Sequence, residues 1–153
     1  MSFHVAQVNI AIAKFEYNDP AFAGFVDNLD RINSLADDSS GFVWRYTSDD
    51  DDAEAKRVFK NDGILFNMSL WESVEQLRQF VYKTDHVDIL RQRADWFDNQ
   101  PGPSMALWWQ PANSLPTVTE AKHRLECLGA VGPGADAFTF RNIIEPPATA
   151  GST

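Results

Sequence analysis

The chain has 153 residues, 44% hydrophobic and 23% charged, and its 13 Lys+Arg against 22 Asp+Glu give a net charge of −9. That length makes one domain with a core able to stand without staples, and the acidic balance argues against nucleic acid or a membrane surface as partner. No apolar run approaches the roughly 20 residues of a membrane span, Met1-Ser2-Phe3-His4 lacks a positively charged leader, and the single Cys127 makes no internal disulfide, so a cytoplasmic location is expected. Five Trp, eleven Phe and three Tyr are more large rings than a core of this size needs for filling, which raises the question of a ring-lined pocket.

Residues 4–11 alternate, with His4, Ala6, Val8 and Ile10 on one face and Val5, Gln7 and Asn9 on the other, the period of a strand. Asp19-Pro20 opens a helix, and Phe22, Phe25, Val26, Leu29, Ile32, Leu35 and Ala36 recur at helical spacing up to the turn cluster 37–41. Residues 42–46 read as a second strand and 47–62 as a loop carrying Asp49 to Asp52. Residues 64–71 are a third strand. Ser73-Val74-Glu75-Gln76 then caps a helix with Val74, Leu77, Phe80 and Val81 on one stripe.

A further helix is expected over 86–97, with Val87, Leu90, Ala94 and Phe97 as its apolar face. Pro101-Gly102-Pro103 breaks the chain before a fourth strand over 105–109. Thr117-Val118-Thr119-Glu120 caps a last helix bearing Ala121, Leu125 and Leu128, with Gly129 as its C′ stop. Residues 137–141 form an extended arm. The domain is placed at 1–145, and the small, Pro-rich tail 146–153 is expected to be disordered.

Two β-α-β halves followed by a helical appendix predict an α+β fold: a ferredoxin-like antiparallel sheet with helices on one face, plus a C-terminal helix and an extended arm. The other face then lacks a cover. A second copy supplies one, giving a homodimer whose sheets meet as a barrel, unless the last helix and the Phe138/Phe140 arm cover part of it.

On the central strands, Gln7 and Asn9 share a face, as do Asn67, Ser69 and Trp71. Unpaired polar groups there cost about 1–3 kcal/mol each, so these side chains either bond each other or face a wet cavity. Arg45 and Trp108 are expected to extend the patch into a polar and aromatic wall suited to a small molecule. His86 stands at a helix start as a candidate acid or base. Scattered histidines and the lack of a Cys-x-x-Cys or His-x-x-x-His pair argue against a protein-built zinc site. Asp49 to Asp52 lack the Gly and distal Glu of a Ca²⁺ loop. No phosphate-binding or nucleophile-elbow motif occurs.

The segments Ala6-Gln7-Val8-Asn9-Ile10-Ala11, Gly41-Phe42-Val43-Trp44-Arg45, Asn67-Met68-Ser69-Leu70-Trp71, Phe80-Val81-Tyr82 with His86, Leu107-Trp108-Trp109 and Ala137-Phe138-Thr139-Phe140-Arg141 resemble an uncharacterised bacterial family. It is a domain of unknown function akin to the antibiotic-biosynthesis monooxygenases of the dimeric α+β barrel superfamily. The resemblance runs from about His4 to Arg141 and implies that fold. Its better-known members oxidise polyketide-like aromatics without metal or flavin, holding the substrate with Asn and Trp. Haem-degrading members pair a first-strand Asn with a Trp and a His. Here Phe80 and Leu90 stand at the latter two places, which disfavours haem degradation.

The expected function is therefore cofactor-independent oxidation of an aromatic or polyketide-like small molecule between sheet and helices. Asn9, Asn67 and His86 are the catalytic candidates, and Gln7, Arg45, Ser69, Trp71, Tyr82 and Trp108 the substrate-binding ones. A non-catalytic binding or sensing protein and a non-oxidative isomerase, cyclase or lyase remain the alternatives.

Overall fold

A computed structural model of the chain describes residues 2–13, 20, 34–47, 53–61, 63–83, 97–98 and 102–147. β1 (Phe3–Ala13) is the axis of the sheet. It runs antiparallel to β3 (Ile64–Trp71), with Val5 opposite Trp71 and Ile12 opposite Ile64. Its other edge pairs with β5 (Met105–Pro111), with Phe3 opposite Pro111 and Asn9 opposite Met105. β4 (Phe97–Asp98) continues that edge against Ile12 and Ala13. β2 (Phe42–Arg45) lies outside β3, with a register shift between Phe42 and Trp44. The protein is thus an α+β, ferredoxin-like chain with an antiparallel sheet.

Period-two alternation splits the apolar residues into two cores. Ala6, Val8 and Ile10 of β1, Met68, Leu70 and Trp108 bury one face against Ala55 of α1 (Ala53–Phe59) and Val118, Ala121, Leu125 and Leu128 of α3 (Val118–Val131). Val5, Trp71 and Leu107 bury the other face against Leu77 of α2 (Val74–Lys83), Ala36 and Phe138. The described parts of the two ferredoxin helices, 34–37 and α2, therefore share one face, as expected. The opposite face, expected to be covered by a second copy or in part by the last helix and the arm, packs against α1 and α3, whereas Phe138 and Phe140 of the arm join the first face.

Three expectations are corrected. The stretch 47–62 is not all loop, because Ala55, Val58 and Phe59 recur at helical spacing and α1 docks them on the sheet. Phe97 does not end a helix but begins β4; residues 86–96 lie outside the described residues. The last helix runs through Gly129 to Val131 and stops at Gly132, whose φ of 78° favours glycine and whose N–H bonds to the Leu128 carbonyl. Gly129 serves packing instead: a Cβ there would stand 3.0 Å from Pro103 Cδ. The helix expected over 22–36 is described only in its last turn, and residues 49–52 and 148–153 lie outside the described residues.

Both expected caps form. Ser73 Oγ accepts from Gln76 N at 3.2 Å, and its hydroxyl donates to Gln76 Oε1 at 3.0 Å. Thr117 accepts from Glu120 N at 3.1 Å, while the Glu120 carboxylate turns along the helix to Arg124. The arm begins at Phe138, which exchanges two backbone hydrogen bonds with Leu107 on the outer edge of β5. It is tied down further by Trp109 Nε1, which donates to the Ile144 carbonyl at 2.8 Å, and by Arg78, which donates to the Phe140 carbonyl at 3.1 Å.

Because α3 seals its face through buried aliphatic side chains, Leu125→Ala is expected to cost about 2–5 kcal/mol, and Thr117→Ala about 1 kcal/mol, in urea unfolding. Equal small losses in both would show that α3 is not part of the cooperative core.

Candidate functional site

The face of β1 carrying Val5, Gln7 and Asn9 meets Trp71, Ser69 and Asn67 of β3 as direct cross-strand partners. The same three residues face Trp109, Leu107 and Met105 of β5. A polar band thus crosses the middle of an otherwise apolar face. Antiparallel register and alternation suffice to put it there.

The band is joined by hydrogen bonds. Gln7 Nε2 donates to Asn67 Oδ1 at 2.7 Å and to Ser69 Oγ at 3.0 Å. Asn9 Nδ2 donates to Gln7 Oε1 at 3.1 Å. Trp71 Nε1 donates to Ser69 Oγ at 2.9 Å, so this oxygen accepts twice. Of the two arrangements open to these groups, mutual bonding is the one formed, and Gln7 is its hub.

The band is graded in depth. Gln7 and Ser69 are each 6% exposed and Trp71 1%, whereas Asn9 and Asn67 are half-buried. The Trp71 end is closed: Phe80 stacks on the indole with centroids 5.2 Å apart, and Phe42 meets it edge-on at 5.5 Å. Trp71 is therefore a packed support rather than an open wall. The Asn9 and Asn67 end is the accessible one, with half-buried Ala11, Leu65 and Met105 around it on the same face.

Trp108 is not part of this site. It lies opposite Ala6 on the other face, fully buried, where the small alanine leaves room for the indole. There its Nε1 donates to Gln110 Oε1 at 2.9 Å, and the Arg124 guanidinium lies 5.7 Å from the centre of its ring. Its neighbour Trp109 shares the face of Val5 and packs on Phe138 at 5.9 Å. Adjacent tryptophans on a strand must point oppositely, and only the register with β1 decides which one joins the site.

Arg45 lies opposite Ser69, but its guanidinium is held at the flank by Asp37, at 3.1 and 3.3 Å. Tyr82 belongs to α2, and its side chain lies outside the described residues, as does His86. Among the described residues no cluster of three or more His, Cys, Asp or Glu comes together, and no helix is long and apolar enough to cross a membrane.

The family model for a domain of unknown function, DUF3291, matches residues 4–152. The chain belongs to the DUF3291 family. No curated protein matches the sequence. Among solved structures this DUF3291 chain is similar to the NE2512 protein of unknown function from Nitrosomonas europaea, at 13% identity and a TM-score of 0.50, over 75% of this chain and 96% of that one. That likeness concerns the fold.

Gln7 and Ser69 act through shared hydrogen bonds, so their substitutions should couple. Ser69→Ala is expected to destabilise by about 1–3 kcal/mol, because it strands two buried donors. In a double-mutant cycle with Gln7→Leu, a coupling of at least about 0.5 kcal/mol is expected in urea unfolding. Strict additivity would show that the band is not a connected network.

Proposed function

We propose that the half-buried end of the polar band holds a small aromatic molecule, and that the protein oxidises it with O₂ without a cofactor. The observation that carries this reading is the gradient of the band. A bonded, buried root at Gln7, Ser69 and Trp71 supports two half-buried amides ringed by apolar side chains, the mixture by which small-molecule sites orient a ligand. The resemblance to cofactor-free monooxygenases supplies the reaction class.

In this reaction a base removes a proton from an activated CH₂ group between aromatic rings, and the carbanion passes its electrons to O₂. The O–O bond breaks. One oxygen atom stays on carbon as a carbonyl, and the other leaves as water with the two displaced hydrogens. Asn9 and Asn67 hold the substrate oxygen whose charge grows in this step, as preorganised dipoles do best. His86 is assigned the proton.

A second reading, a binding protein without turnover, is favoured by the mutual bonding of Gln7, Ser69 and Trp71, which leaves those groups committed to structure. Oxygen uptake with tricyclic phenolic substrates separates the two. The oxidation reading expects one O₂ per carbonyl formed, with rates falling at least tenfold in Asn9→Ala and His86→Ala. Saturable binding without oxygen uptake would leave the binding reading in its place.

A further inference from the structure

Asn9 and Asn67 stand directly opposite each other, and both are oriented by one amide. Gln7 accepts from Asn9 through Oε1, which commits Asn9 Nδ2 inward and leaves Asn9 Oδ1 outward. Gln7 donates to Asn67 through Nε2, which commits Asn67 Oδ1 inward and leaves Asn67 Nδ2 outward. Neither outward atom bonds to a described residue. The half-buried end therefore presents one acceptor beside one donor.

This complementarity does not depend on how the Gln7 amide is turned. A carboxamide has one oxygen end and one nitrogen end, and Asn9 meets one while Asn67 meets the other. Turning all three amides together exchanges the outward donor and acceptor but keeps one of each. Ser69 tolerates either state: its oxygen accepts from the Trp71 indole, a donor only, and its hydroxyl is free to rotate toward Gln7.

Resting on the small-molecule reading above, we propose that this site selects ligands carrying an adjacent hydrogen-bond donor and acceptor in one plane, such as an aromatic lactam, with Gln7 as the positioning residue that sets the selectivity. A ligand with an acceptor only fills one Asn and leaves the other unpaired in a half-buried place, and such mismatches discriminate more sharply than lost apolar contact.

The test uses three flat probes of similar area: 2-quinolone, which has N–H beside C=O, N-methyl-2-quinolone, which has the C=O alone, and naphthalene, which has neither. Calorimetric titration of the full chain is expected to show 2-quinolone binding at least tenfold tighter than the other two. Asn9→Leu, which removes the acceptor that meets the ligand N–H, and Gln7→Leu, which frees both Asn amides to turn their donors outward, are expected to abolish the preference for 2-quinolone over its N-methyl form. Equal affinity for 2-quinolone and its N-methyl form in the folded wild type would overturn the selectivity and leave the small-molecule site standing. Absence of binding by all three probes would overturn the site itself. A preference that survives in both variants, checked for folding by thermal melting, would remove Gln7 and Asn9 from its cause.

Discussion

Everything in this fold hangs on β1 being paired along both edges and covered on both faces. Its backbone groups are spent on β3, β5 and β4, and its side chains alternate between two separate cores. The middle of such a strand has no face free for solvent, so a polar residue there must find a partner or a cavity. Gln7 and Asn9 are such residues. The partners they take lie on β3 because antiparallel register brings Ser69 and Asn67 opposite them. The candidate site is thus a consequence of how the central strand solves its own burial problem.

The two faces divide the work differently. One is closed by α1 and α3 through aliphatic and small side chains, with Trp108 at its centre. The other is assembled from pieces distant in sequence: α2, the end of the first helical segment and the arm with Phe138. Its rings pack in a chain at one end, with Phe42 edge-on to Trp71 and Phe80 stacked on it, while Trp109 and Phe138 pack against each other. Among the described residues, the rings of this face thereby serve as rigid support. What remains open is polar and small.

The strands and caps could be read from the residues because alternation and Ser/Thr capping are local signals; β3 and the Ser73 and Thr117 caps stand where these signals place them. The membership of Gln7, Asn9, Asn67 and Ser69 in one band was legible for the same reason. Trp108 was not, since alternation fixes that it opposes Trp109 but not which of them faces Gln7, and that depends on pairing with a strand a hundred residues earlier. α1 was hidden by its brevity, seven residues beside an acidic run whose composition signals a loop. Gly129 and Gly132 both look like helix stops, and only the close approach of Pro103 to one and the positive φ of the other tell them apart.

The margins of the sheet bear on the behaviour of the molecule in concentrated solution. Exposed strand edges are templates for unwanted pairing between chains. Here β2 is four residues long and out of register between Phe42 and Trp44, while the outer edge of β5 spends the Leu107 N–H and carbonyl on Phe138. Both devices deprive a neighbouring chain of a straight ladder to extend. The arm is therefore also a guard against edge-to-edge aggregation, a task that its two backbone bonds perform independently of the polar band.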